Sequence, residues 1–140
     1  QSKGNYSMAI ASYIEAIKQN PQNALAYFNL GVVYAMSGNK QESVKAYENA
    51  VKYDRRNAKA YYNKGLLYKE LGKNDLALNS FNSTIKIDSK FADAYMAMGL
   101  IYDQQKNSKL AEQYFKKYLS LKPNGAHASK LKAWLTANKA

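Results

Sequence analysis

The sequence predicts an all-α fold, a stacked array of helix-turn-helix hairpins, and three observations carry that expectation. Tyr27, Gly31 and Tyr34 recur as Tyr61, Gly65 and Tyr68, and again as Tyr95, Gly99 and Tyr102, a period of 34 residues. Each period holds two apolar stripes at the three-and-four spacing of an amphipathic helix, as in Tyr27, Leu30, Tyr34 and then Val44, Tyr47, Ala50, Val51. Between the stripes stands a glycine, Gly38 or Gly72, where a helix can close through a left-handed residue. Units of this size cannot bury their apolar faces alone and stack on their neighbours instead.

Aligning the copies divides the chain, read as a single domain of residues 1–140, into repeats at 24–57, 58–91 and 92–125, preceded by a partial repeat at 1–23 and followed by a capping helix at 126–140. Gly4 lies 34 residues before Gly38, so the reading places it at the turn that ends a first helix. Only a second helix, with Ala9, Tyr13, Ala16 and Ile17, then follows it, and the chain reads as a segment of a longer array. Lys106 occupies the turn-glycine position of the third repeat, so that turn is expected to carry strain of about 1 kcal/mol. Polar linkers join the hairpins, and Pro21 and Pro123 stop the helices before them. The last segment begins like another first helix but carries Lys130, Lys132 and Lys139, the polar face expected of a solenoid cap.

Composition narrows the function classes. The 46% apolar content is ample for a folded core, and no long uncharged apolar run suggests a transmembrane helix. Gln1 to Tyr6 lack the apolar core of a signal peptide, so nothing there addresses the chain to a compartment. With no Cys, thiolate chemistry and Cys-based metal sites are excluded. The net charge of +11 is uneven, since from Gln104 onward eight lysines stand against one acid, Glu112. Such an end attracts acidic partners or serves as a solvated face.

The recurring pattern of aromatic, Leu-Gly and Tyr, followed by Ala, an aromatic, Ala and Pro, resembles the tetratricopeptide repeat. The first full copy reads Tyr27, Leu30, Gly31, Tyr34, Ser43, Tyr47, Ala50; the next reads Tyr61, Gly65, Tyr68, Ala77, Phe81, Thr84; the third reads Tyr95, Met98, Gly99, Tyr102, Ala111, Phe115, Tyr118 and closes on Pro123. Gly31, Gly65 and Gly99 are small where the helices of a hairpin cross, with Ala9, Ala77 and Ala111 facing that column from the second helix. Lys64 departs from the pattern, standing where Leu30 and Met98 stand, and its charge must snorkel out of an apolar site. Tyr118 departs too, in place of Ala16 or Ala50, with Ser129 across from it in the cap as a small partner.

The resemblance implies a right-handed α-solenoid whose first helices line a concave groove that binds a peptide or a partner helix. It points to Leu25, Phe28, Asn29, Val32 and Met36 in the first repeat and to Lys59, Tyr62, Asn63, Leu66, Lys69 and Glu70 in the second. In the third repeat and the cap it points to Asp93, Met96, Ala97, Leu100, Asp103, His127, Lys130, Leu131 and Trp134. Two registers, Phe28, Tyr62, Met96 and Val32, Leu66, Leu100, Trp134, keep the period of the array, as a strip for an apolar segment requires. Helix packing is the other reading of the same positions. Asn29 and Asn63 can each offer a ligand backbone a donor and an acceptor. Asn29 and Lys59 also match part of the carboxylate clamp of some members, whereas Asn63 falls where that clamp needs Arg.

No catalytic pattern accompanies these features. His127 stands alone, without Cys or fixed acid, and no phosphate loop or nucleophile elbow is present. No cofactor is implied. Thirteen Tyr with 21 Lys and Arg invite a nucleic-acid reading, but eight of the Tyr fall in repeat columns and read as core. The expected function is a non-catalytic scaffold for a protein or peptide, acidic or with an apolar segment, with self-association through the open N-terminal repeat also expected. The alternative is the recognition arm of a larger enzyme, co-chaperone or secretion machine.

Overall fold

The computed structural model describes residues 3–138; Gln1, where the partial repeat was read to begin, and Lys139 of the cap lie outside the described residues. Among the described residues there are eight helices and no strand: α1 Lys3–Gln19, α2 Ala24–Met36, α3 Lys40–Tyr53, α4 Ala58–Glu70, α5 Asn74–Ile87, α6 Ala92–Gln104, α7 Ser108–Leu121 and α8 Ala128–Ala137. They gather into two compact units, Gln1–Ser80 and Phe81–Ala140, with the boundary inside α5.

In the first unit α2 and α3 form a hairpin, with α1 against α2 and α4 against α3. Its core joins Val44, Tyr47, Ala50 and Val51 of α3 to Ala60 and Leu67 of α4, with Tyr27, Phe28 and Val32 of α2 packed on them. The crossing of α2 and α3 is close because Gly31 has no side chain. A Cβ there would lie 2.7 Å from the Tyr47 ring. On the same glycine, the Ser43 hydroxyl donates to the Gly31 carbonyl at 2.6 Å. The small-residue column thus does face the glycine, and the aromatic one turn later lies directly on it.

The second unit repeats the device with a different ring. Its core joins Ala92 and Tyr95 of α6, Ala111, Phe115 and Tyr118 of α7, and Leu131 of α8. A Cβ on Gly99 would stand 2.5 Å from Phe115. Tyr114 stacks between Tyr95 and Tyr102 at 6.4 and 5.4 Å. The tyrosine columns are mixed in depth: Tyr47 and Tyr95 are buried, whereas Tyr13, Tyr27, Tyr34, Tyr61, Tyr68 and Tyr102 are half-buried, with an edge at the surface.

Hydrogen bonds define the helix ends. Asn23, Asn57 and Asn107 accept from the backbone N–H groups of Ala26, Ala60 and Leu110, satisfying donors that a helix start leaves open. Asn20, Asp54 and Asp88 each accept from the N–H two residues on, tightening the linkers. Phe91 and His127 provide no side-chain cap. The capping helix was expected from residue 126, yet α8 starts at Ala128. Gly125 holds the position of Asn23 and Asn57, and its N–H donates to the Lys122 carbonyl at 3.2 Å, a bond that all four linkers share.

Gly4 is a correction. It lies inside α1, which runs from Lys3, and has no left-handed backbone. Tyr118 also finds other neighbours than expected: its ring meets His127 at 6.3 Å and its hydroxyl lies over Gly125, while Ser129 is exposed.

Gly38 and Gly72 take positive φ of 88° and 78°, and Lys106 is forced to 61° in the third turn. All three turns close identically, with Asn39, Lys73 and Asn107 donating back to the carbonyls of Tyr34, Tyr68 and Tyr102. Replacing Lys106→Gly removes the side-chain clash that a left-handed residue carries and adds some unfolded-state entropy. The expected net gain is about 0.5–1 kcal/mol, or roughly 2–4 °C in Tm; a lower Tm by calorimetry would contradict the strained turn.

Candidate functional site

Within the first unit, the last turn of α2 and the last two turns of α4 enclose a cavity of about 290 Å³. Val32, Ala35 and Met36 line it from α2, Asn63, Leu66, Leu67 and Glu70 from α4, and Tyr47 reaches it from α3. These side chains converge because positions three and four apart share a helix face. The walls are apolar, and the polar atoms sit at two places. Asn63 Nδ2 donates to the Tyr47 hydroxyl at 3.3 Å. Glu70, the last residue of α4, lies 3.6 Å from Lys40, with both groups solvent-exposed. Burial raises the Tyr47 phenol pKa above its ordinary value, against the opposing hydrogen bonds with Asn63 and Ser43.

Five of the sequence-predicted residues therefore meet at one cavity: Val32, Met36, Asn63, Leu66 and Glu70. The others of that unit stand elsewhere. Phe28 is half-buried and tilts against the Tyr47 ring at 5.7 Å, beneath the cavity's floor residue. Asn29 and Tyr62 are half-buried on α2 and α4, Lys59 is exposed, and Lys69 is half-buried; none of them lines the cavity. Sequence reasoning missed Tyr47 as a site residue, because its ring was already assigned to the core. Its hydroxyl is the part that emerges.

In the second unit Leu100 is 37% exposed, Lys130 is fully at the surface, and Met96 packs on the core cluster. Trp134 is committed to packing: its ring meets Phe115 edge-on at 4.9 Å and its indole N–H donates to Asp103 at 3.1 Å. Ala97 and Leu131, read as groove-lining, are buried at 3% and 5% exposure. At those two places the helix-packing reading is the correct one.

A second cavity of the first unit, about 430 Å³, lies between Val44, Lys45 and Glu48 of α3, Tyr68 and Leu71, and Lys73 and Leu76. Tyr68 donates to Glu48 at 3.2 Å, and burial together with that carboxylate raises its pKa. Its charged groups are of both signs, and its phenol is already engaged. Among the described residues no cluster of His, Cys, Asp or Glu could hold a metal, and no helix is long and apolar enough to cross a membrane.

Models of the TPR repeat match residues 2–38, 37–72 and 65–106, and a tetratricopeptide repeat model matches 92–124. The chain belongs to the tetratricopeptide repeat family. Its fold class is the all-α helical solenoid. A crystal structure of MamA is similar at TM-score 0.88 and 26% identity, over 98% of this chain and 80% of that one. A tetratricopeptide repeat protein from Parabacteroides merdae is 31% identical at TM-score 0.85, over 95% of this chain and 53% of that one. The first TPR of Spaghetti (RPAP3), bound to the HSP90 peptide SRMEEVD, shares the fold at TM-score 0.76 and 22% identity, over 85% of this chain and 95% of that one. No curated protein matches the sequence. The tetratricopeptide repeat is typically a non-catalytic protein-interaction module, and its repeats here support a protein-interaction scaffold.

Lys64 is the departure with an energetic consequence. Its amine lies 5.5 Å from the Tyr61 ring centre, and burial lowers its pKa below the ordinary 10.5, partly opposed by Glu48. Between the lowered value and 10.5 the unfolded chain binds more protons than the folded one, so stability rises with pH there. Below that window the folded state bears the whole desolvation cost. Lys64→Leu is therefore expected to raise Tm at pH 7 by about 2–4 °C. The gain should shrink toward pH 10.5; a variant less stable than wild type at pH 7 would refute this account.

Proposed function

We propose that the chain is a non-catalytic docking scaffold that binds a peptide or partner helix over the α2–α4 cavity, with Val32, Met36, Asn63 and Leu66 making the contacts. The observation that supports this is the convergence of an apolar wall from two successive first helices on one opening, at positions the repeat pattern leaves undetermined. Phe28 supports the floor by packing on Tyr47, and Lys59 and Lys69 belong to the rim. In the second unit, Leu100, Met96 and Lys130 form a subsidiary surface beside Trp134. Leu66→Glu puts a charge into the apolar wall and should weaken partner binding by about tenfold or more. It should leave the helical circular dichroism spectrum intact. Pull-downs that recover the same partners with wild type and variant would remove the site.

A second reading, self-association, is favoured by α1, where Met8 and Ile14 are 72% and 38% exposed on one helix. Sedimentation velocity should then show concentration-dependent association that Met8→Lys weakens; a monomer at every concentration would exclude it.

A further inference from the structure

The charged lining of the cavity is opposite in sign to the chain as a whole. The chain carries +11, yet no lysine or arginine lines the cavity; beside the Tyr47 phenol its one ionisable group is the Glu70 carboxylate, which Lys40 approaches to 3.6 Å. The cavity also opens at the C-terminal ends of two helices, α2 ending at Met36 and α4 at Glu70. Helix C-termini carry the negative end of the macrodipole, roughly half a charge each. Of the two last turns, that of α2 contains no basic residue to offset it, whereas that of α4 contains Lys69. Asn63 gives one of its two amide N–H groups to Tyr47, so its carbonyl oxygen and its second N–H both stay available to a ligand backbone.

Glu70 is poorly explained by folding. An acid in the last turn opposes the helix dipole, and its bond to Lys40 is an exposed pair of the kind that contributes little to stability. It is well placed, however, at the mouth of an apolar cavity. Its complement is a cation carried next to an apolar side chain.

Resting on the reading of this cavity as a docking site, we infer that its ligand is an extended peptide segment in which an apolar side chain enters between Val32, Met36 and Leu66 and an adjacent Lys or Arg pairs with Glu70. The ligand ammonium or guanidinium displaces Lys40 from Glu70, and the segment donates hydrogen bonds to the Asn63 carbonyl. An acidic segment meets Glu70 and two helix C-termini of its own sign and is rejected there.

A random decapeptide library displayed on phage, selected against the protein and separately against Leu66→Glu, separates this inference from the reading beneath it. Enriched peptides should pair an apolar residue with a neighbouring Lys or Arg and should be lost on Leu66→Glu. For the best of them, made synthetically, Glu70→Gln should weaken binding by about 2–5-fold and Lys40→Met should tighten it by a similar factor. Enrichment that is lost on Leu66→Glu but favours Asp or Glu beside the apolar residue overturns the charge assignment while keeping the cavity. No enrichment, or enrichment unaffected by Leu66→Glu, removes the cavity as the site and this inference with it. Circular dichroism of each variant guards against loss through unfolding, and both Glu70 and Lys40 are exposed positions.

Discussion

The contact of an aromatic ring with a bare glycine is the constraint on which the rest of each unit depends. At Gly31 and Gly99 the ring of Tyr47 or Phe115 occupies the space a side chain would need. A methyl group at either place would force the ring or the helix aside, and cores resist such overpacking by about 1–3 kcal/mol. The contact fixes how near the two helices of a hairpin lie, which in turn fixes what the far edge of the ring can reach. In the first unit that edge is a hydroxyl, held by Asn63 and facing the cavity. In the second it is a phenyl edge covered by Trp134. One packing rule therefore yields a polar cavity floor in one unit and a sealed apolar contact in the other, and the difference is a single oxygen.

The parts of the fold that were legible in the sequence are those set by local chemistry or by the period. The turn at Lys106 was readable because left-handed backbone disfavours any side chain, and the backbone adopts it there all the same. The asparagine starts of α2, α4 and α7 follow from capping chemistry that acts within three residues. Gly4 misled because the period supplies a position and not a backbone conformation, which at Gly4 is helical. The late start of α8 is not a matter of the missing cap oxygen alone, since Phe91 holds the same register without one and α6 starts directly after it.

The candidate site was legible by half, and the division has a physical cause. Helix periodicity places Val32, Met36, Asn63 and Leu66 on faces that can converge, and they do. Whether a small or apolar residue on such a face meets solvent or another helix depends on the next element, which periodicity does not contain. Ala97 and Leu131 keep the register and are buried. Asn63 kept its predicted position but uses one of its two amide N–H groups inside the protein, because Tyr47 lies within reach across 16 residues of sequence.

Charge works at two ranges in this chain, and confusing them would assign the wrong ligand. A net +11 acts through solvent, where screening at physiological salt confines it to about 8 Å, and it chiefly alters encounter rates. Groups lining a cavity act at contact, and one that is buried must be matched or bear its desolvation cost. Lys64 shows the cost of an unmatched charge, since its amine is lodged in a column that is apolar at Leu30 and Met98 and retains only the Tyr61 ring and the distant help of Glu48. On the docking reading proposed above, Glu70 and the helix ends select at contact what enters between α2 and α4, and the distributed lysines govern only how fast it arrives.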